Sequence, residues 1–454
     1  MKKHVALVGF MGAGKTTIAR SLGLPTVTTD DDVPIELFDL GEPAFREREA
    51  EVVRTVLTRT EPVVVDLGGG AVTTPAVREL LREHATVVWL DVDVNTAWER
   101  VRGSDRPLAQ SYEDFKRRYE ERRALYEQVA DLTARDADDV VLAAAGIVVE
   151  PGALRKLGTY VTGPAALVTD PRVNGIHGMD AQLALGAKLV ETHELPAGEE
   201  AKTLTVLDRL WQELRLDRAG TIVALGGGCT TDAAGFAAAT YLRGVDWIPV
   251  PTSLVAQVDA AIGGKTAIDL PQGKNLVGAF HWPARTVIDA DLLHTLPERE
   301  RQEGMAEVVK TSLLTGENLH DPLDVRRCAA FKAAVCLRDP HDHGERKQLN
   351  LGHTFAHALE AAAHYEGVTH GRAVALGLKA ALKLSGRDAS AVDEILRPKP
   401  VRVDRERAWA AMQRDKKNVG GELRLVLLGE NGPQWDVPVP AADVRRALDE
   451  LIAG

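Results

Sequence analysis

The beginning of the chain places the tightest constraint on how it can fold. Residues 4–8 form an apolar run that predicts a buried strand, and residues 15–22 predict the start of a helix. Between them, the sequence GFMGAGKT fits the pattern G-x-x-x-x-G-K-[ST]. Glycines in this position let backbone N–H groups surround phosphate oxygens at a helix N-terminus. The pattern therefore predicts a nucleotide site on a parallel α/β sheet.

The same loop assigns roles to individual residues. Lys15 is expected to reach the outer phosphates, and the Thr16 hydroxyl is expected to bind Mg²⁺. The residues expected to bind the nucleotide are Gly12, Ala13, Gly14, Lys15, Thr16 and Thr17.

Polar residues further along could bind a second substrate beside this loop. Asp32 lies near the end of a strand, although a solvated acidic turn would look the same. Asp66 ends another apolar strand and precedes the glycines at 68–70, and open α/β sheets bind ligands at such strand ends. Arg46 and Arg122 lie on two charged helices.

In this order, the motifs resemble those of the shikimate kinases over about residues 1–148. The family's D-x-D-x-x-I-E, F-R-x-x-E, glycine triplet, R-P-L lid and R-x-x-L-Y are all present. The resemblance implies transfer of phosphate from ATP to shikimate with Mg²⁺, and it makes Lys15, Asp32 and Arg106 catalytic. Arg106 would close over the phosphates of ATP. The implied shikimate-binding residues are Asp32, Arg46, Gly68, Gly69, Gly70 and Arg122. Asp66, where the family commonly has Ser or Thr, is expected to contact Mg²⁺ through water.

A second glycine triplet, residues 226–228, follows a later apolar strand and precedes a helix of small residues. A triplet in that position suits a pyrophosphate against a helix N-terminus, although it is not the G-x-G-x-x-G fingerprint. After Gly304 the pattern changes to long amphipathic helices, which predicts a helical lobe.

A polar stripe is predicted in the segment RKQLNLGHTFAH. Arg346, Asn350, His353 and His357 are spaced four, three and four residues apart, so a single α-helix would carry all four on one face. The residues around them are mostly apolar, which predicts a buried polar site. A structural hydrogen-bond network would explain the stripe equally well.

Two other segments add metal-binding chemistry to this site. Glu307 and Lys310 are three residues apart on a separate helix, and His370 follows a break. One carboxylate and two imidazoles can hold a zinc-like ion and leave positions open for a substrate.

From about residue 158 to the end, the chain resembles the 3-dehydroquinate synthases. G-G-K-T, G-K-N, A-E-V-V-K and L-N-x-G-H-T-F-x-H occur in that order. The resemblance implies conversion of 3-deoxy-D-arabino-heptulosonate 7-phosphate to 3-dehydroquinate with release of phosphate. It implies bound NAD. It also implies a metal ion, Zn²⁺ or Co²⁺, held by Glu307, His353 and His370. The catalytic residues that it implies are Lys265, Lys310 and His357.

The resemblance also implies two larger sets of residues. Those for NAD are Asp170, Glu199, Lys202, Gly227, Gly228, Asp232, Thr252, Ser253, Lys265 and Lys274. Those for the substrate are Arg243, Asp259, Lys265, Asn275, Lys310, Lys332, Arg346, Asn350, His357, Lys416 and Lys417. The segment between Lys310 and Lys332 is shorter than in the family, and Arg372 stands where Glu is common.

The expected fold class is α/β in three parts. A P-loop sheet like that of the nucleoside monophosphate kinases spans 1–148, and a linker spans 149–157. An NAD-binding α/β domain spans 158–303, and a helical zinc and substrate domain spans 304–454.

Composition limits the partners of the chain. A net charge of −11 argues against sequence-independent nucleic-acid binding, and we find no apolar run long enough for a membrane helix. Three cysteines suit a reducing cytoplasm. The expected partners are small molecules, with a homodimer formed through the rear half.

Two rival interpretations remain. The chain could join another small-molecule kinase to a different sugar-phosphate cyclase or a metal-dependent polyol dehydrogenase. Alternatively, the front part could be a nucleotide sensor that regulates the rear.

Overall fold

The computed structural model describes residues 3–103, 111–364, 367–415 and 422–453. The chain divides into two compact units, Met1–Ile147 and Val148–Gly454. Arg106, Lys416 and Lys417 lie outside the described residues.

The first unit is built on a five-stranded parallel sheet in the order β2-β3-β1-β4-β5. All five residues of the central strand β1 are buried, which is typical of a parallel strand covered on both faces. The strands are β1 (His4–Val8), β2 (Thr26–Thr28), β3 (Val64–Asp66), β4 (Ala85–Leu90) and β5 (Leu132–Ala134). The helices are α1 (Lys15–Ser21), α2 (Glu42–Leu57), α3 (Pro75–His84), α4 (Val94–Val101), α5 (Tyr112–Val129) and α6 (Ala137–Ala145).

The second unit contains a four-stranded parallel sheet in the order β10-β9-β7-β8, together with two antiparallel hairpins, β11-β12 and β14-β15. The strands, with β6 at the junction, are β6 (Ile147–Val149), β7 (Ala165–Thr169), β8 (Leu189–Glu194), β9 (Thr221–Gly226), β10 (Asp246–Pro251), β11 (Lys265–Leu270), β12 (Gly273–Phe280), β13 (Thr286–Ile288), β14 (Glu422–Gly429) and β15 (Gly432–Pro440).

The helices of the second unit fall into two groups. Those around the parallel sheet are α7 (Leu157–Tyr160), α8 (Pro171–Val173), α9 (Met179–Leu185), α10 (Leu204–Glu213) and α11 (Gly228–Thr240). Those of the helical lobe are α12 (Glu298–Thr315), α13 (Val325–Arg338), α14 (His353–Ala362), α15 (His370–Leu384), α16 (Ser390–Leu396), α17 (Arg405–Asp415) and α18 (Ala441–Asp449). The lobe thus begins six residues before Gly304 and also contains the β14-β15 hairpin.

The segment 149–157, which we expected to be a linker, is folded into the second unit. Leu154 and Leu157 are 3% and 0% exposed, in the apolar cluster under β7, β9 and β10. The amides of Gly152 and Leu154 donate to the two carboxylate oxygens of Asp289, each at 3.0 Å. Apolar burial and these backbone bonds hold the segment in place.

The single helix predicted through Arg346 and His357 is wrong. A 3₁₀ helix, Glu345–Asn350, ends before Gly352, and α14 begins only at His353. Gly352 has a φ of 79°, and a Cβ there would lie 2.7 Å from the Leu378 amide nitrogen. The backbone of α15 comes this close because Gly377 faces Gly352, so the chain must turn where the spacing predicted a continuous helix.

Among the described residues, no helix has both the length and the apolar character needed to cross a bilayer.

Candidate active sites

The phosphate-binding loop joins β1 to α1, as its sequence predicts. Gly12 and Gly14 have positive φ angles of 84° and 91°. Lys15 is buried, and its ammonium donates to the Gly9 carbonyl at 2.8 Å and to the Phe10 carbonyl at 3.4 Å. The lysine is therefore folded across the loop, where its charge faces the backbone that a phosphate would contact.

Thr16 and Asp66 form the oxygen pair of this site. The Thr16 hydroxyl in the first turn of α1 donates to Asp66 Oδ2 at 2.5 Å. Asp66 is the last residue of β3 and is 3% exposed. A hydroxyl and a carboxylate are ligands that Mg²⁺ prefers, so the donor set fits this ion.

Two arginines lie on the first glycine triplet. Arg46 pairs with Glu49 at 2.7 Å, and its guanidinium occupies the space that a Cβ at Gly70 would take. Arg122 is buried and donates to the Gly69 carbonyl at 3.4 Å. Two guanidinium groups beside one backbone segment form a pocket suited to a carboxylate.

Two further residues of the kinase unit are Asp32, which the sequence analysis selected, and Arg100, which it did not. Asp32 is exposed, at the end of the 3₁₀ helix Thr29–Asp32. Arg100 of α4 donates to the Gly12 carbonyl at 2.9 Å, and sequence analysis did not select it as a nucleotide-site residue.

The rear unit places its glycine run where the order of the parallel strands reverses. The chain passes from β7 to β8 on one side of β7 and later to β9 on the other side, which makes a ligand crevice at their carboxyl ends. A cavity of about 340 Å³ opens there. The expected NAD residues that line it are Asp170, Gly227, Gly228, Thr252 and Ser253.

A larger cavity of about 720 Å³ shares Gly228 and Cys229 with the first. It gathers most of the remaining residues that the sequence singled out. They are Glu199, Lys202, Asp232, Asp259, Lys265, Asn275, Lys310, Lys332, Arg346, Asn350, His353, His357 and His370. The stripe predicted for one helix therefore converges on one cavity from two separate elements.

Glu307, His353 and His370 form a three-residue cluster whose possible ligand atoms lie within 4.8 Å of one another. Glu307 Oε1 is 3.1 Å from His370 Nε2 and 3.4 Å from His353 Nε2. Each imidazole uses its other nitrogen elsewhere: His353 Nδ1 contacts the Leu351 carbonyl at 3.2 Å, and His370 Nδ1 contacts Glu360 at 3.4 Å. Both Nε2 atoms are thereby directed toward the carboxylate, so the donor set fits a zinc-like ion.

The charges around this cluster are strongly coupled. Burial acts to raise the pKa of Glu307, but the Lys310 ammonium and the two imidazoles outweigh it and hold the pKa well below its ordinary value. Burial acts to lower the pKa of His370, but its hydrogen bonds to Glu307 and Glu360 raise it to about 10. An ionised carboxylate is the state that binds a metal ion.

Cations surround the rest of the cavity. Lys332 lies 2.7 Å and Lys310 3.5 Å from Asp259 Oδ1. Arg346 donates to the Gly263 carbonyl at 2.9 Å, and Lys265 pairs with Asp342. A phosphorylated, carboxylated substrate would meet these side chains.

The nucleotide side of the cavity carries a second ionic network. Lys202 is buried and donates to Asp232 at 2.8 Å and to Asn275. Lys274 pairs with Glu199 at 2.8 Å. Burial and a hydrogen bond with Glu199 raise the pKa of Asp269 to about 6.

Comparison with known proteins decides the family. A model for the N-terminal part of 3-dehydroquinate synthase matches residues 192–303, and a model for its C-terminal part matches residues 304–418. The 3-dehydroquinate synthase of Bordetella pertussis is 40% identical over 336 residues, which are 66% of this chain and 94% of that protein. The chain belongs to the 3-dehydroquinate synthase family.

Other matches extend this result to both units. The 3-dehydroquinate synthase of Gloeobacter violaceus is 40% identical over 350 residues, covering 67% of this chain and 96% of that one. A 2-deoxy-scyllo-inosose synthase solved with carbaglucose-6-phosphate, NAD⁺ and Co²⁺ is 28% identical, with a TM-score of 0.60 over 67% of this chain and 96% of that one. A shikimate kinase model matches residues 11–150. The chain therefore fuses a shikimate kinase unit to a 3-dehydroquinate synthase unit, as a bifunctional enzyme of the shikimate pathway.

Among the described residues, two of those expected to bind NAD or substrate, Arg243 and Lys274, do not line either cavity. Arg243 has a φ of 68°, is exposed and does not line either cavity described above. It follows the chain reversal after α11, where Leu242 also has a positive φ of 50°. Lys416 and Lys417 lie outside the described residues, as does Arg106 of the kinase unit.

Sequence analysis missed several charged residues around the synthase cavity. Glu360 is seven residues after His353, and Glu303 is four before Glu307, so helical spacing places each on the face of a metal-ligand candidate. Asp269 lies on the same hairpin as Lys265 and Asn275. The helical spacing that links Glu303 to Glu307 and Glu360 to His353 is visible in the sequence. It identifies Glu303 and Glu360 only after Glu307 and His353 have been chosen as metal ligands.

Proposed function

We propose that the two activities use separate sites, each of which binds its anionic substrate with cations arranged around a glycine-rich floor. The observation that carries the synthase assignment is the convergence of a two-imidazole, one-carboxylate cluster, a nucleotide crevice and several cations on one cavity of about 720 Å³.

In the kinase unit, Arg46 and Arg122 bind the carboxylate of shikimate from the glycine triplet, because guanidinium groups match carboxylates bidentately. Asp32 contacts the ring hydroxyls. Lys15 leaves the carbonyls that it now contacts and moves onto the outer phosphates of ATP. Thr16 and Asp66 would hold Mg²⁺, Asp66 through water. Phosphoryl transfer then depends mainly on positioning and charge neutralisation.

In the synthase unit, Gly227 and Gly228 at the start of α11 receive the pyrophosphate of NAD, which supplies reversible hydride transfer. Glu307, His353 and His370 would hold Zn²⁺ or Co²⁺, which would supply a Lewis acid for a substrate hydroxyl. With NAD regenerated in each turnover, the overall conversion would release phosphate with no net redox change.

The synthase side chains bind the substrate and move its protons. Lys265, Lys332 and Arg346 meet its anionic groups, because each presents a cation to the cavity. His357 is exposed at the cavity and its ring lies 5.7 Å from that of His353. An imidazole in that position relays a proton between the substrate and solvent.

The assembly and location of the enzyme are part of the same proposal. Met179 and Leu183, one turn apart on α9, are 74% and 73% exposed, and Val190 is exposed on the edge strand β8. These exposed apolar side chains, together with the open sheet edge at β8, support a homodimer formed through the synthase unit. The free thiols of Cys229, Cys328 and Cys336 support a reducing cytoplasm.

A pair of variants tests the separation of the sites. Lys15→Met should abolish phosphate transfer to shikimate and leave phosphate release from 3-deoxy-D-arabino-heptulosonate 7-phosphate unchanged. Glu307→Gln should do the reverse. Loss of both activities in either folded variant would contradict independent sites. Lasting accumulation of NADH during turnover would instead identify the rear unit as a dehydrogenase.

A further inference from the structure

His370 is the first residue of α15, and the residues on either side of it are held by another helix. Glu303 of α12 accepts a hydrogen bond from the Thr369 hydroxyl at 2.6 Å through one oxygen. Its other oxygen accepts the Gly371 amide at 2.7 Å. One carboxylate thus binds the residues immediately before and after a candidate metal ligand.

This contact replaces an ordinary helix cap. The first amides of a helix have no partner inside it, and a Ser, Thr, Asp or Asn just before the helix usually accepts from one of them. Thr369 occupies that position but makes no capping bond within α15. Glu303 supplies the acceptor instead, and its charge lies at the positive end of the helix. The cap therefore joins two helices, where a local cap would stabilise only one.

The position of the cap on α12 gives it a role at the metal cluster. Glu303 and Glu307 are four residues apart, so they lie one turn apart on one face of α12. Glu307 contacts the His370 ring at 3.1 Å, while Glu303 binds the Thr369 hydroxyl and the Gly371 amide on either side of the same residue. At Gly371 the helices are so close that a Cβ would lie 2.6 Å from Glu303 Cα.

A third carboxylate fixes the other side of the ring. Glu360 of α14 is 5% exposed and contacts His370 Nδ1 at 3.4 Å. When Nδ1 donates to this carboxylate, the ring keeps its Nδ1 proton, and Nε2 is the nitrogen that can exchange its proton for a metal ion. The ring is then fixed by Glu360, and the helix that carries it is fixed by Glu303.

We propose that Glu303 and Glu360 are positioning residues for metal binding: Glu303 docks the start of α15 against α12, and Glu360 orients the His370 ring. This inference rests on the proposed metal site at Glu307, His353 and His370. Helix α12 then carries two carboxylates with different roles. Glu307 binds the metal ion, and Glu303 positions the helix that carries His370.

The test measures metal affinity of the full-length protein, with Zn²⁺ as the probe in competition against a chromogenic chelator. Glu360→Gln should weaken Zn²⁺ binding about 10- to 100-fold, the usual effect of removing an outer partner of a ligand histidine. Glu303→Gln, whose amide nitrogen cannot accept the second bond, should weaken it about tenfold. Glu298→Gln, an exposed acid on the same helix, is the matched control and should bind Zn²⁺ as the wild type does.

If Glu303 and Glu360 contributed only to stability, the measurements would differ. Their substitution would lower the unfolding temperature of the metal-free protein and leave both the Zn²⁺ dissociation constant and the visible spectrum of the Co²⁺-loaded protein unchanged. The proposal expects that spectrum to change as His370 is displaced. Thr369→Val removes only one donor to Glu303, so it keeps the test available if Glu303→Gln does not fold.

The outcomes separate this inference from the function on which it rests. If the wild type binds no Zn²⁺, or if Glu307→Gln binds it equally well, the proposed metal site is wrong and this inference falls with it. If the wild type and Glu307→Gln differ as expected but folded Glu303 and Glu360 variants bind Zn²⁺ within twofold of the wild type, only the positioning role is refuted.

Discussion

Cutting the chain at two nearby points should give very different synthase units. A protein of residues 148–454 keeps the segment packed under the parallel sheet, whereas one of residues 158–454 loses it. The shorter protein loses the burial of Leu154 and Leu157, worth about 3–6 kcal/mol together. It also loses two amide bonds to Asp289, worth about 1–3 kcal/mol together. The sum approaches the whole stability of a typical domain, about 5–15 kcal/mol.

Urea unfolding followed by circular dichroism, together with the synthase assay, checks this estimate. The 148–454 protein should unfold cooperatively and release phosphate from its substrate, and the 158–454 protein should be largely unfolded or insoluble. In the full chain, Asp289→Asn should lower the free energy of unfolding of the synthase unit by about 1–3 kcal/mol, because a buried amide loses its acceptor. Asp291→Asn, exposed two residues away, is the control. Equal urea midpoints for the two truncated proteins would refute the reasoning.

Two further predictions concern the kinase site, and a third concerns the loop that follows α13. Asp66→Asn should raise the Mg²⁺ concentration needed for half-maximal kinase activity about tenfold, since a charged hydrogen-bond partner contributes about 1.5–3 kcal/mol; an unchanged Mg²⁺ titration would exclude a role in binding the ion. Arg122→Lys should raise the KM for shikimate at least tenfold and leave that for ATP unchanged, because lysine cannot bind a carboxylate bidentately; equal rises in both would point to misfolding. Burial acts to raise the pKa of Asp339, but three backbone amides, including those of His343 and Gly344, lower it to about 2. This pKa is below the unfolded value, which is about 3.9. The contribution of the Asp339 charge to stability is therefore present above about pH 4 and is lost as the pH falls toward 2. Amide exchange at His343 and Gly344 should therefore be faster in Asp339→Asn than in the wild type at pH 7, and identical rates would contradict the role of the charge.

Local patterns in the sequence predicted those parts of the fold that local forces decide. The phosphate-binding loop lies between a strand and a helix as expected, because glycine geometry and a helix N-terminus are enough to specify it. The prediction of one helix through Arg346 and His357 was wrong because the backbone of α15 packs against Gly352. Residue spacing along the chain gives no information about that contact. The residues of the stripe nevertheless reach one cavity, so their chemistry was a better guide than their periodicity.

Other failures have the same origin in tertiary structure. The segment 149–157 contains Pro and Gly and looks like a connection, yet its leucines fill a gap under the sheet. Glu303 could not be assigned a role from the sequence, because its partners Thr369 and Gly371 lie more than sixty residues away. Arg243 is the opposite case, a residue implied by resemblance that lies away from the cavity.

The contact between Gly352 and Gly377 limits how this enzyme can change over evolutionary time. Each glycine occupies the space in which the other would carry a side chain, and His353 starts its helix at the very next residue. A lineage that exchanged either glycine for alanine would push that imidazole away from the carboxylate and the second imidazole. We therefore expect the two positions to be inherited together, and a survey of natural variants should find few chains in which only one of them has been replaced.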